Sequence, residues 1–431
     1  MTAAEADTDT RRPFARLRQT LASGRPSRLL LTAGNTVRLL RCGVEFFPAL
    51  IERIDAARES VALETYIFCD DAAGRPVSDA LMRAARRGVQ VRVITDGIGT
   101  DRLPMFKDWP AAGIEHRIFN PHLFGRFGFS RTHRKLAVVD GRFAFCGGIN
   151  IVDDFAQNGG RLPHPRWDFA VELSGPAVAQ VGAAFDLQWQ RIELGHRPRP
   201  LQALGSEARA SLPDNAVAGA LMGRSARARR RSLAAARAVR EPSVALLARD
   251  NVINRRAIEK AYLAAIGRAR REVLLANPYF MPGRKLRRAL VRAARRGVDV
   301  RILIGRKEFA ALDYAVPYLY RTLLSAGARI AEYEKTMLHG KVAVVDSNWG
   351  TVGSSNLDAL SLVLNNEANV VLIKHREIEA LRDAILMAFA EARPIDAAHY
   401  AARPLGERLL NWFAYQGYRT LMKLLTVGGY D

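Results

Sequence analysis

Cysteine is scarce, with three residues in 431, at Cys42, Cys69 and Cys146. An odd number at spacings that match no metal-ligand pattern excludes a disulfide scaffold and a cysteine-built zinc site, and fits a reducing compartment. Long apolar runs are missing as well. No stretch approaches the roughly eighteen uninterrupted apolar residues that a spanning helix needs. The first 26 residues, MTAAEADTDTRRPFARLRQTLASGRP, hold no apolar core of a secretory signal. No Gly-x-x-x-x-Gly-Lys-Ser/Thr loop and no His/Cys cluster occurs, so neither a nucleotide nor a metal cofactor is expected. Acidic residues are few beside the basic ones: 43 Asp and Glu against 65 Lys and Arg leave a net charge of +22. Such a surface attracts polyanions, either nucleic acid or anionic lipid, and charge alone does not choose between them. A general bias toward high pI is the plain alternative.

What is present is a soluble, globular composition, 49% hydrophobic and 25% charged, in a chain long enough for two or three domains. Lysine is the rare cation: nine of the 65 basic residues, the other 56 being Arg. Two of the nine, Lys135 and Lys341, stand at matching places in a repeat. The stretch THRKLAVVD (132–140) returns as LHGKVAVVD (338–346), and RAARRGVQVRVITDG from Arg83 returns as RAARRGVDVRILIGR from Arg292. His133 and His339 lie 206 residues apart; Gly147-Gly148 and Gly353-Ser354, and Asn150 and Asn356, keep the same offset. Each half reads as helix, strand, helix, strand, then the motif strand, a tight glycine turn and a last strand beginning at Asp168 or Glu367. This alternation argues an α/β fold, a mixed sheet flanked by helices in each half, with the two halves packed as a pseudo-twofold pair.

Residues i and i+2 of a strand share a face, so His133 can point with Lys135 and His339 with Lys341. If the halves face each other, one cleft holds two His, two Lys and two Asn (Asn150, Asn356), with glycines that admit close backbone approach. Cations and amides suit the oxygens of a phosphate, with an imidazole on either side of phosphorus. One imidazole then serves as nucleophile and the other as acid and base. Each ring needs a carboxylate to fix its tautomer. Asp168 and Glu367 are the candidates, because each opens the strand after the glycine turn of its half. Asp140 and Asp346 close the motifs, where hydrogen bonding or salt bridging is expected rather than proton transfer. Compactness favours Lys over Arg around a single phosphate oxygen.

The duplicated His-x-Lys-x4-Asp pattern with Gly-Gly/Ser-x-Asn after it, THRKLAVVDGRFAFCGGIN and LHGKVAVVDSNWGTVGSSN, resembles the phospholipase D superfamily. The resemblance covers roughly residues 28–398. LETYIF, TDGIGT, RDN, NPYFMPG and RRGVDVRILIG look most like bacterial cardiolipin synthases of the branch without N-terminal transmembrane helices. It implies phosphatidyl transfer to an alcohol through phosphohistidine, without a metal, with His133, Lys135, Asp140, His339, Lys341 and Asp346 as the catalytic set. It also implies that His133 is the nucleophile and His339 the acid/base, a choice on which the residues themselves are nearly symmetric. Gly148 and Ser354 join Asn150, Asn356, Asp168 and Glu367 as orienting or phosphate-binding positions. Arg166-Trp167-Asp168 stands where the resemblance implies the order Trp-Arg-Asp, which leaves Glu367 the better-founded orienting carboxylate.

The organisation expected is a polar, basic segment 1–27, a first domain 28–200, an Arg-rich linker 201–242, a second domain 243–398 and an amphipathic segment 399–431. The linker reads either as a solvated connection or as a phosphate-touching patch. In the last segment Leu410, Phe413, Leu421 and Leu424 fall at helical spacing, with Trp412, Tyr415, Tyr418, Arg419 and Lys423 nearby; this suits a core-packing helix or an interfacial one. The expected partner is an anionic phospholipid membrane, bound peripherally on its cytoplasmic face, with a phosphatidylglycerol-type substrate, no nucleic acid, and a monomer sufficient for one active site. A phospholipase D-type hydrolase or nuclease using the same motifs is the first alternative. A non-catalytic lipid-binding protein is the second.

Overall fold

The computed structural model describes residues 29–122, 129–157, 160–193, 241–250, 254, 256–306, 310–358 and 360–425. The expected basic segment 1–27 and all but the end of the 201–242 linker lie outside them. Each half builds one mixed sheet. In the first, the order is Thr36–Arg41, Phe169–Ser174, Phe143–Gly147, Leu136–Val139, Ser60–Thr65, Gln90–Asp96, Ile114–Phe119. In the second it is Thr32–Ala33, Ser243–Arg249, Glu367–Ile373, Trp349–Gly353, Lys341–Val345, Glu272–Asn277, Asp299–Gly305, Arg329–Tyr333, Arg393–Pro394.

More strands are present than the sequence pattern predicts. The leading strands, Thr36–Arg41 and Ser243–Arg249, and the third parallel strands, Ile114–Phe119 and Arg329–Tyr333, carry Arg, Glu or His among their apolar residues, which blurs the alternation. The tight turn after each motif leads into a further strand, Phe143–Gly147 or Trp349–Gly353, so the glycine pairs close that strand rather than the motif strand. Thr32–Ala33 pairs antiparallel with Val244 and Ser243, so one short strand of the first half completes the sheet of the second.

The two sheets pack face to face. One core takes Val138, Val171 and Phe185 from the first half together with Val342, Val370 and Leu372 from the second. Crossing hydrogen bonds repeat in twofold fashion: Leu246 N donates to Gln180 Oε1 (3.0 Å), and Leu39 N donates to Glu377 Oε2 (3.2 Å). Helices Cys42–Asp55 and Gly74–Arg86 cover the outer face of the first sheet, and Ala257–Arg268 and Arg284–Arg295 that of the second, each over its own apolar cluster. In Gly74–Arg86 the inward face is Val77, Ala80, Leu81 and Ala84, the i, i+3, i+4, i+7 set of an amphipathic helix.

Asp140 and Asp346 sit at the far ends of the two motif strands, both in left-handed backbone (φ 51° and 52°). Asp140 accepts from the backbone N–H groups of Arg58, Glu59 and Ser60. Asp346 accepts from those of Arg270, Arg271 and Glu272. Away from the paired histidines, each carboxylate therefore caps the start of the neighbouring strand, Ser60–Thr65 or Glu272–Asn277, which runs antiparallel to the motif strand. Asp140→Ala should lower the free energy of unfolding by about 2 kcal/mol, as charge-assisted hydrogen bonds to partly covered backbone are lost. Chemical denaturation measures this, and the turnover of the molecules that stay folded should change little.

Candidate active site

The backbone clasps that join the halves are the same structures that present the motifs. Thr132 bridges to Asn366, and His133 N donates to Asn366 O (2.9 Å). Leu338 bridges to Trp167, and His339 N and Gly340 N donate to Trp167 O (3.0 and 2.8 Å). Each histidine is thus tied to the residue that precedes the other half's carboxylate, and the side chains follow. His133 Nδ1 lies 3.1 Å from Glu367 Oε2 and 3.0 Å from Ser354 O. His339 Nδ1 lies 2.6 Å from Asp168 Oδ2. Each imidazole is held by a carboxylate of the opposite half. An ionised carboxylate only accepts, so the proton sits on Nδ1 and the Nε2 lone pair is left for chemistry.

Both lysines fold back onto the motif backbone: Lys135 Nζ donates to His133 O (2.7 Å) and Lys341 Nζ to His339 O. Lys135 also lies 5.3 Å from the centre of the Tyr66 ring. The histidine side chains are 12% and 14% exposed, so only an edge of each ring is reachable. Burial, then Lys135, lower the pKa of His133 against the pull of Glu367. Burial and Lys341 bring His339 down to about 3 against Asp168. Burial alone would raise the two carboxyls. His133 and Lys135 outweigh it at Glu367, and His339 and Lys341 at Asp168, holding both below the ordinary range. Burial and the facing Lys341 push Lys135 down to about 7. Each ammonium depresses groups of both halves, so the four motif side chains form one electrostatic unit.

The lowered basicity of Lys135 couples anion binding to pH. Below about pH 7 its ammonium is charged and an oxyanion binds; above it, binding must carry a proton in. Affinity for sulfate, which does not titrate in this range, should fall toward about tenfold per pH unit between pH 7 and 9. Calorimetry of Lys135→Met should show weaker binding and a flatter profile.

The other expected positions divide. Ser354 Oγ donates to Glu367 Oε2 and accepts from Ala368 N (3.0 Å), bracing that carboxylate. A Cβ on Gly148, its counterpart, would stand 2.2 Å from Asp168 Oδ1, so only glycine fits there. Asn150 Oδ1 accepts from Ile67 N (3.2 Å), whereas Asn356 Oδ1 is buried with no partner among the described residues. The exchanged Arg166-Trp167 order does not displace Asp168. Trp167 supplies the backbone clasp, and Arg166 Nη1 anchors to Asp153 O (2.7 Å).

A set of residues behind the first motif carries no signal in the sequence. Arg134 Nε donates to Glu64 Oε1 (3.0 Å), and Thr132 Oγ1 donates to the same oxygen, all three buried. By sheet register the second half has Ala276, Leu338 and Gly340 there, and a Cβ on Gly340 would meet the Trp167 ring at 2.8 Å. A polar brace behind one histidine is therefore replaced by an indole behind the other. Tyr66 stacks edge-on against His133, ring centres 5.0 Å apart. Asp96 accepts from Thr132 N (2.9 Å), and burial pushes its carboxyl up to about 6. LETYIF and TDGIGT contain these two residues, but only the three-dimensional contact identifies them.

Among the described residues no group of His, Cys, Asp and Glu could hold a metal ion, and no helix is long and apolar enough to cross a membrane. The arrangement groups two imidazoles, each held at Nδ1 by a carboxylate, with two buried lysines, a set of side chains suited to displacement at phosphorus.

Comparison with known proteins agrees in kind. Residues 50–158 and 262–386 match the family model described as cardiolipin synthase, PLD-like domain. The chain is 37% identical to cardiolipin synthase B of Escherichia coli K12 over 357 residues, 81% of this chain and 79% of that one. It is 28% identical to cardiolipin synthase 1 of Bacillus cereus over 385 residues, 88% and 71% of the two chains. The crystal structure of phosphatidylserine synthase from Haemophilus influenzae Rd KW20 superposes with a TM-score of 0.64 at 17% identity, covering 96% of this chain and 99% of that one, a likeness of fold.

Proposed function

The chain belongs to the cardiolipin synthase family of phospholipase D-like proteins and is a phosphatidyltransferase of that superfamily; on that premise we propose that it transfers phosphatidyl from phosphatidylglycerol to a second phosphatidylglycerol, releasing glycerol and forming cardiolipin. The observation that carries the reading is the pair of crossed bonds, His133 to Glu367 and His339 to Asp168, which engage Nδ1 of each ring and leave Nε2 without a partner among the described residues.

In this reading neutral His133 attacks phosphorus through Nε2. The bond from phosphorus to the glycerol oxygen breaks, and that oxygen takes the proton of His339 Nε2. The bound phosphodiester brings negative charge beside Lys135 and Lys341. It thereby offsets the ammonium that helps burial depress His339, so the anion and Asp168 together favour the imidazolium needed as acid. The second lipid's hydroxyl then gives its proton to His339, its oxygen displaces the phosphohistidine nitrogen, and both rings return to their starting states. The ammoniums hold the non-bridging oxygens throughout. Residence on the membrane is peripheral, on the cytoplasmic face, and one chain supplies both half-sites.

Purified protein incubated with phosphatidylglycerol vesicles should yield cardiolipin and glycerol by mass spectrometry. Phosphatidic acid in place of cardiolipin would make water the acceptor and the protein a hydrolase. Nicked plasmid DNA with no lipid product would overturn the reading in favour of a nuclease.

A further inference from the structure

The C-terminal helix Leu405–Leu425 is docked by one face only. Asn411, Tyr415 and Met422 are buried, spaced by about one or two turns. Asn411 Nδ2 donates to Tyr314 O (2.9 Å), Tyr415 stacks on Tyr318 at 4.5 Å, and the Arg287 guanidinium lies 5.8 Å from the Tyr415 ring. The opposite face is apolar: Leu405, Leu409 and Phe413, at i, i+4 and i+8, are 71%, 56% and 62% exposed, and Leu410 and Trp412 beside them are also exposed. An outward stripe of this kind costs solubility unless something covers it.

Its position is fixed by the sheet register. Strand Glu272–Asn277 runs antiparallel to the second motif strand and parallel to Asp299–Gly305, so Asn277 and Gly305 end where Lys341 begins. Residues 310–319, which carry the C-terminal helix, follow Gly305 and lie at that catalytic end. Exposed Tyr314 stands there, and by the same register argument exposed Ile98, two residues beyond strand Gln90–Asp96, stands at the catalytic end of the first half. The neighbouring helix Arg284–Arg295 starts at this rim and holds no acidic residue. Its exposed Lys285 and Arg288 make no ion pair or side-chain hydrogen bond among the described residues.

We infer that the occupant of this face is an anionic lipid bilayer. The outer stripe of Leu405–Leu425 lies in the acyl boundary, Lys285 and Arg288 meet the headgroups, and the mouth of the cleft between His133 and His339 faces the membrane plane. Cations beside an outward apolar stripe are the chemistry of an interfacial helix. Their position on the catalytic rim orients the cleft as well as binding the surface. The inference rests on a phospholipid substrate and adds which surface meets the bilayer.

The test uses the full chain and a Leu409→Glu/Phe413→Glu double variant, both side chains pointing away from the protein and the fold verified by unchanged denaturation. Cosedimentation with vesicles of phosphatidylglycerol and phosphatidylcholine should show at least about tenfold weaker binding for the variant. Lys285→Glu/Arg288→Glu should flatten the dependence on phosphatidylglycerol content. Turnover of monomeric short-chain phosphatidylglycerol should be unchanged in both, so a chain that binds vesicles but turns over no lipid would indict the proposed reaction and not the surface. Wild-type-like vesicle binding by Leu409→Glu/Phe413→Glu would overturn the inference. So would a vesicle-free dimer of the wild type that the variant abolishes without altering vesicle binding, since a second copy would then be the occupant.

Discussion

His133→Ala and His339→Ala should each lower phosphatidyl transfer by about four to six orders of magnitude, and the double variant should be scarcely worse than either. In the proposed cycle both rings act, so removing either stops the whole of it. The variants should separate on a substrate whose leaving group needs no proton, such as a p-nitrophenyl phosphodiester. Without His339, the His133 Nε2 can still displace nitrophenolate, because Glu367 continues to hold the ring with its proton on Nδ1. The adduct then stalls, since no base activates the incoming hydroxyl. A substrate carrying labelled phosphorus should leave the label on His339→Ala protein and none on His133→Ala. Label trapped on His133→Ala would exchange the two roles, and label on neither would refute a phosphohistidine route.

The duplication makes much of this candidate site legible in the sequence. Motif residues keep one offset because they lie within rigid sheet, where an inserted residue would turn every side chain to the wrong face. The carboxylates break the offset, since Asp168 and Glu367 are 199 residues apart while the histidines are 206 apart. The difference lies in the connection after Asn150, which is seven residues longer than that after Asn356. Loops absorb such insertions at little cost. The partnership of each carboxylate with the opposite histidine is a product of sheet-to-sheet packing, and no local pattern encodes it. The Glu64–Thr132–Arg134 brace is equally silent in the sequence, since a lone Glu in an apolar strand reads as an outward-facing residue until its buried partner is found. Asp140 and Asp346 belong to the repeat because they cap it. Periodicity therefore marks what is shared by the halves and not which of it touches phosphate.

Crossed pairing makes a second large effect predictable, with a pattern that neither half alone would give. Glu367→Gln should cut transfer by about three to four orders of magnitude. An amide can turn its NH2 toward His133 Nδ1, which shifts the ring proton to Nε2 and removes the attacking lone pair. Ser354 O, also within reach of Nδ1, still accepts from the correct tautomer and limits the loss. Asp168→Asn should fail differently. At 2.6 Å the carboxylate is the principal counterweight to burial and Lys341 at His339, so its loss deprives the acid of the charge that stabilises its imidazolium. Transfer from phosphatidylglycerol should collapse, while the first step on the p-nitrophenyl substrate survives and traps label, as with His339→Ala. Glu367→Gln should lose both substrates alike, as with His133→Ala. Were each carboxylate serving the histidine of its own half, the two phenotypes would be exchanged, so the leaving-group dependence of Asp168→Asn reads out the crossing directly. A variant of the first half that behaves like the loss of a second-half histidine means that the second half's acid depends on a carboxylate of the first, which ties activity to the packing of the sheets.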